Sequence, residues 1–472
     1  MMWQCVLVVV SFSGHVLRRA AETELPVGRS GNGSDPKVVF LLSLLPSKGR
    51  RWPPGRMRGP LQFDLIAKLK PPHPGPLRRG GTERIRIFFS AARLIGLALI
   101  GLVSMGFPGA SSLGAEPEVG PVSRDLLSDQ EWKRLDTAID RGLSYLATQQ
   151  KQNNGSFAAP DTGQPGITSL CVLAFLAKGH VPEEGPYQEH LDHAVRFVIE
   201  TQRENGILFR MPYGDVWQFG TPSHTGIYNH AIAGLMLSEV YGMTQSDQSD
   251  RIGKAITRAV EFTREQQRRV KRNPSDNGGW RYLGKNRGLK SDADLSITSW
   301  QLMFLRSARN NGFEIPVEPI DDALGYVRRS FSKERGAFIY GHVPPGDHST
   351  RAVVGSGILS LSLGGEHQSE IARTAGKWVL QHPFDRYNQV EYHEERYHYS
   401  AYYCSQAMFQ LGGDYWKQFY PRFMNVLLEN QNADGSWSPE GNRDGNFGSA
   451  YTTALVILAL SPPYQLLPIF QR

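Results

Sequence analysis

"RFMNVLLENQNADGSW", residues 422–437, runs an amphipathic helical pattern into a glutamine, a polar turn containing Gly435, and an indole. Related stretches recur along the chain: "RGLSYLATQQKQNNGSF" from Arg141, "HAVRFVIETQRENGIL" from His193, and "RAVEFTREQQ" from Arg258 followed by "DNGGWRY". Two weaker versions follow, "DDALGYVRRSFSKERGAF" from Asp321 and "TAGKWVLQHP" from Thr374. Anchored on Gln149, Gln202, Gln266, Ser330, Gln381 and Gln431, the steps are 53, 64, 64, 51 and 50 residues, the period of a repeat with insertions.

Each copy is followed by a more apolar segment rich in small residues, such as "ITSLCVLAFLAKG", "NHAIAGLMLSEVYG" and "SAYTTALVILAL". Length and composition suit tightly packed helices, so the unit is a helix pair and six are predicted. In the turns, Gly155, Gly206, Gly279, Gly336 and Gly435 supply the left-handed conformation that ends a helix, while Phe157, Trp280, Phe338 and Trp437 cover the junction. A buried glutamine with donor and acceptor atoms can bond backbone ends of neighbouring units, which an apolar side chain cannot.

The first 115 residues are of another kind. They hold 16 Lys and Arg against 5 Asp and Glu, with "RRWPPGRMRGP" and "KPPHPGPLRRGG" and no sustained period. Residues 1–81 read as a disordered basic leader, and "PPHPGPLRRGG" resembles the translation of a dispersed bacterial repeat element, which fits a start codon assigned too early. Residues 82–115 read as a signal peptide: an arginine-bearing start, an apolar run from Leu94 to Phe107, then small residues. That run is short for a membrane span. Export to a periplasmic or other extracytoplasmic space is the expectation, with no stable span after processing. Residues 116–134 are assigned to a linker and 135–465 to the repeat domain.

Without the leader, 52 basic and 45 acidic residues become 36 and 40, so the balance turns from +7 to −4. No basic block remains to attract nucleic acid. Cys5 falls in the leader; Cys171 and Cys404 sit in apolar helical segments without CxxC spacing and read as core residues, not as a disulfide framework.

The Gln, Gly, aromatic order of "QNADGSW" and "NNGSF" resembles the QW repeats of squalene-hopene cyclases and those of protein prenyltransferase β subunits, the prenyltransferase and squalene oxidase repeat family. The resemblance covers residues 135 to 465. It implies an all-α (α/α)6 toroid, six inner helices ringed by six outer ones around a central cavity that binds an isoprenoid-type ligand. "DADLS" resembles the DxDD motif of class II terpene cyclases, with Asp292 and Asp294 at the first two acids and Leu295 in place of the third. Asp294 is then the candidate general acid. The same region resembles the prenyltransferase β segment that binds diphosphate and zinc. That likeness implies a diphosphate cradle of Lys285, Arg287 and Lys290 and a zinc site with Asp294 and His348, Ser296 standing where the family has cysteine. Tyr228, Tyr399 and Tyr402 are candidates to face a ligand or a carbocation.

Other readings of these residues stand beside these. "SDAD" fits a helix cap, the basic loop fits a solvated surface, and His224, His348 and His398 fit hydrogen-bonding roles at helix starts. The sequence leaves three functions open: a terpene cyclase or prenyltransferase-like cavity protein, a noncatalytic extracytoplasmic scaffold, and a carbohydrate-processing toroid using Glu394 or Glu395. A second subunit is not decided by the sequence.

Overall fold

The first helix begins inside the stretch assigned to the linker, because Ser128 caps it. Its hydroxyl accepts from the Glu131 N–H at 3.3 Å while its own N–H donates to the Glu131 carboxylate at 2.8 Å, a reciprocal box that holds the chain at Asp129. The computed structural model describes residues 126–214, 220–284, 290–391 and 394–471. The leader, the signal-like segment, Cys5, Lys285 and Arg287 lie outside the described residues.

Helices alternate between two types. The outer set is α1 (Asp129–Thr148), α3 (Gln188–Glu200), α5 (Ser246–Gln267), α7 (Val317–Arg329), α9 (Glu370–Gln381) and α11 (Gly413–Glu429). These bury one stripe, as in α7, where Ile320, Ala323, Leu324 and Val327 face inward. The inner set is α2 (Gly166–Ala177), α4 (Pro222–Val240), α6 (Leu295–Asn310), α8 (Arg351–Leu363), α10 (Tyr397–Leu411) and α12 (Gly448–Leu460). Every residue of α2 is buried, which is why these segments read as apolar on all sides. One short antiparallel pair, β1 (Phe331–Ser332) with β2 (Ala337–Phe338), stands in the fourth turn.

Each inner helix packs on the inner helices of the units before and after it, and α12 packs on α2. In the outer layer α11 packs on α1. The six pairs therefore close into an (α/α)6 toroid. Close approach needs small residues: a Cβ on Gly355 of α8 would lie 2.8 Å from the backbone nitrogen of Cys404 on α10. Cys171 and Cys404 are both buried free thiols.

Glutamines stitch four of the seams, in one pattern. Gln150 Nε2 donates to the carbonyls of Gly155 at 2.9 Å and His190 at 2.8 Å; Gln202 does the same to Gly206 at 3.0 Å and Ala255 at 2.8 Å. Gln267 reaches Gly278 at 2.9 Å and Pro319 at 2.8 Å, and Gln431 reaches Gly435 at 2.9 Å and Ala138 at 2.8 Å. One carbonyl belongs to the glutamine's own turn and the other to the next outer helix. The last of these links ties unit six to unit one. Two sequence anchors move by one place, from Gln149 to Gln150 and from Gln266 to Gln267. Successive side chains on a helix point about 100° apart, so only one of two adjacent glutamines faces the seam. Ser330 instead bonds the Tyr326 carbonyl, and Gln381 is exposed, so the fourth and fifth units lack this link.

The turn glycines pack against the same neighbouring helix. Gly435 has φ +92°, and a Cβ there would meet the Arg141 carbonyl oxygen at 2.4 Å; the corresponding glycine in unit three is Gly278, with φ +86°, not Gly279. Phe157, Trp280, Phe338 and Trp437 are fully or almost fully buried. The N–H groups of Phe157, Trp280 and Trp437 donate to Thr168, Thr298 and Thr453 on the inner helices, joining each turn to its own pair.

Because every unit has the same direction, the six inner helices are parallel and their N-termini share one lip. At the other end the last residues cross the ring. Ile469 N–H donates to Glu239 at the end of α4, Gln410 of α10 donates to the Phe470 carbonyl, and Leu467, Ile469 and Phe470 are buried. Among the described residues no helix is long and apolar enough to cross a membrane.

Candidate active site

Six parallel helix N-termini concentrate partial positive charge at one lip, where carboxylates are stabilised. That is where the acids collect. Asp294, fully buried, is the N-cap of α6: one carboxylate oxygen accepts from the Ile297 N–H at 2.8 Å and the other from Arg281 Nη1 at 2.8 Å. Burial pushes its pKa up, while Arg281 and a hydrogen bond from Tyr340 pull the other way. The cap is Asp294 itself, since the Ser291 hydroxyl turns to Asp276 and the Ala293 carbonyl.

Arg281 lies over the rings of Tyr282 and Tyr340, at 4.6 and 5.2 Å from their centroids, and the two phenols are 2.5 Å apart. Tyr340 is fixed by its backbone: its carbonyl accepts from Leu295 N–H, and its N–H donates to the His348 carbonyl. The turn of unit three, the cap of α6 and the turn of unit four thus form one cluster around a buried ion pair.

This cluster backs onto a cavity of about 320 Å³ at the lip end of the ring. Its walls come from the inner helices, including Ile167 and Leu170 of α2, Tyr228 and Ile232 of α4, and Trp300 of α6. Across from these stand Val353, Tyr399, Phe447 and Tyr451. The cavity ends where Trp300 stacks on Tyr402 at 5.5 Å and meets Tyr403 edge-on. Tyr402 is therefore beneath the floor, whereas Tyr228 and Tyr399 line the wall. The Tyr399 hydroxyl accepts from Trp300 Nε1 at 2.7 Å and lies 2.8 Å from the Ser296 hydroxyl.

Polar and charged groups also line the wall. His224 meets Tyr282 at a tilt, ring centroids 4.8 Å apart; burial, with the charges of Arg281 and Arg396, pushes its pKa down to about 4, so it is neutral at pH 7. Asp444 lines the wall with 13 % of its side chain exposed, accepting from Arg396 Nε at 3.1 Å and from the Tyr451 hydroxyl at 3.2 Å. Burial pushes its pKa up to about 6 against the pull of Arg396. His348, Thr350 and Glu394 belong both to this wall and to a neighbouring outer pocket of about 340 Å³ between units four and five.

Apart from His348, which lines its edge, the remaining candidates separate from the cavity. Asp292 points to the exterior and pairs with Arg272 at 2.6 Å; burial works against its ionisation, but Arg272 holds its pKa below the usual range. Lys290 is exposed, with its carbonyl taken by Asn273. His348 turns Nδ1 to the Pro345 carbonyl and stacks on Tyr340. Among the described residues no group of three or more His, Cys, Asp or Glu is placed to hold a metal ion. His398 bonds Glu440 and Tyr387, and Glu395 pairs with the buried Arg351, both supports of the fifth unit. Sequence reasoning passed over Arg281, Tyr282, Tyr340, Trp300, Arg396 and Asp444. The signal for several was position: they immediately precede or open an inner helix, as in "NRDGNFG" before α12.

The ring and its one-ended cavity define the class, an α/α toroid protein. Within that class the fold is similar to cellobiose 2-epimerase from Bacillus thermoamylovorans, with TM-score 0.50 and 13% identity over 71% of this chain and 98% of that one. A variant of type II terpene cyclase MstE from Scytonema, in complex with its substrate geranylgeranyl dihydroxybenzoate, gives TM-score 0.48 and 16% identity over 72% of this chain and 100% of that one. A glycosidase in complex with glucose gives 0.47 and 12%, over 72% and 100%. At these identities the likeness establishes the toroid and no particular chemistry. No protein-family model and no curated protein sequence matches the chain.

Proposed function

We propose that the central cavity binds an apolar, isoprenoid-type molecule and that the protein acts on it as a terpene cyclase-like enzyme. The observation that carries this reading is the wall, most of which is made by aliphatic and aromatic side chains. Its volume lies at the lower end of the usual range for ligand pockets, about 300–1,000 Å³. Tyr228, Trp300, Tyr399 and Phe447 offer ring faces to positive charge arising on a hydrocarbon. Asp294, the acid suggested by "DADLS", enters this reading as the anion that fixes Arg281 and Tyr340 behind the wall. The signal-like segment at 82–115 supports an extracytoplasmic setting for this activity.

The affinity of a prenol series tests the reading. Each buried CH2 contributes about 0.8 kcal/mol, so binding strengthens steeply from geraniol to farnesol until the cavity is full. Quenching of tryptophan fluorescence reads the affinities, with cellobiose as the competing class. A flat series, or saturable binding of cellobiose and of no prenol, sinks the proposal. The second outcome favours carbohydrate processing, the reading to which Glu394 and Asp444 in the wall give some support.

A further inference from the structure

The ring order sets two carboxyl groups on opposite sides of the cavity. Asp294 precedes α6 and Asp444 precedes α12, the third and sixth of six inner helices, so the two segments face each other across the lip. The two sites are built differently. Asp294 has both oxygens engaged by donors, Ile297 N–H and Arg281, and stands behind Tyr340 and Tyr282. Asp444 is part of the cavity wall itself.

We propose that Asp444 is the residue that hands a proton directly to the bound ligand, with Arg396 and Tyr451 as its positioning residues. This rests on the cavity being a ligand site of the kind described above. The groups around the Asp444 carboxyl are consistent with that task. Arg396, entering α10, donates to one oxygen while its Nη1 is held by the Glu395 carbonyl at 2.9 Å. Tyr451, from α12, donates to the other. On its own segment, Asn442 Oδ1 accepts the Asp444 N–H at 2.9 Å and its amide binds Glu440 at 2.6 Å. Glu440 in turn binds His398, and its charge opposes ionisation of Asp444. Across the rim Arg396 also depresses His224, which leaves a neutral imidazole.

With its pKa pushed up to about 6, the carboxyl is neutral in mildly acidic solution. In the proposed step its O–H bond breaks and the electron pair remains on the carboxylate, where Arg396 meets the new charge. The π electrons of a trisubstituted double bond form the new C–H bond. The positive charge left on the adjacent carbon faces the rings of Tyr451, Phe447 and Tyr399. Loss of a neighbouring C–H proton back to the carboxylate restores an alkene, so the cycle consumes no co-reactant. It also exchanges ligand hydrogen with solvent.

The test uses the full chain with farnesol in D2O, reading binding by tryptophan fluorescence and deuterium in recovered farnesol by mass spectrometry. The expected result is incorporation whose rate falls as pH rises through about 6. Asp444→Asn lowers it by about 100-fold or more, the range of general acid catalysis, with binding retained. Asp444→Glu recovers part of the rate. Tyr451→Phe removes a bond that lowers the Asp444 pKa, so the midpoint moves up, a shift that a purely structural role does not produce. Binding without exchange, or exchange that survives Asp444→Asn, overturns the proton-donor role while the apolar-ligand reading stands. Absence of binding by farnesol overturns both.

Discussion

Replacing Gln431 by methionine probes whether the ring is closed. The methionine has similar length and keeps the packing, but it removes two donors from carbonyls that belong to opposite ends of the domain, Gly435 and Ala138. Each lost bond costs about 0.5–1.5 kcal/mol net; the Ala138 carbonyl lies within α1 and keeps its helical partner, so only the Gly435 carbonyl, where it is left dry, adds about 1–3 kcal/mol. Water reaches part of this seam, since Gln431 is only half-buried, so the expected loss is about 2–3 kcal/mol. Gln202→Met is the internal reference: it removes the same two kinds of bond, to Gly206 and Ala255, at a seam between consecutive units. Urea unfolding followed by far-ultraviolet circular dichroism gives both values. A closed toroid predicts equal losses. If Gln202→Met destabilises while Gln431→Met leaves the midpoint untouched, the first and last units are not in contact, and the cavity argument goes with them.

Trp437→Ala empties a fully buried site and removes the indole bond to the Leu427 carbonyl at 2.8 Å, which keeps only the Asn430 N–H, so denaturant unfolding should register a loss of about 3–5 kcal/mol. The two acids of "DADLS" should behave unlike each other. Asp294→Ala leaves Arg281 buried without its partner and costs about 3–5 kcal/mol, much of it restored when Arg281→Met is added, whereas Asp292→Asn at the half-exposed Arg272 pair costs about 1 kcal/mol or less. A double-mutant cycle measures the coupling, and additivity of the Asp294 and Arg281 losses contradicts the buried-pair argument. Glu239, buried with Ser307 and the Ile469 N–H, has its pKa pushed up to about 7 by burial. The folded state therefore holds a proton that the unfolded state has released, and stability falls as pH rises from about 4.5 to about 7, by about 3 kcal/mol. Glu239→Gln should remove that slope in a series of unfolding curves across this pH range; an unchanged slope assigns it elsewhere.

Local features were legible in the chain because local forces make them. "QNADGSW" announces a helix end through a left-handed glycine and an aromatic cover, and the segments without an exposed face announce inner helices. The same logic gave six pairs. It did not give the register of the seams, because which of Gln149 and Gln150 meets the next helix depends on the rotation of α1 against α3. Nor could "DADLS" reveal that its second acid is taken by Arg281, thirteen residues earlier and on another segment.

The sequence by itself determined the repeat, the turn chemistry and the alternation of striped and wholly apolar helices, all of which are set by residues within a turn or two of each other. Tertiary structure alone decided that the last unit meets the first, that Tyr340 and Tyr282 screen Asp294, and that Asp444 with Arg396 and Tyr451 forms part of the cavity wall. The physical reason is ring closure. It brings together side chains from segments that are distant along the chain, such as Arg396 and Asp444, and no periodicity records which of them will share the same enclosed space.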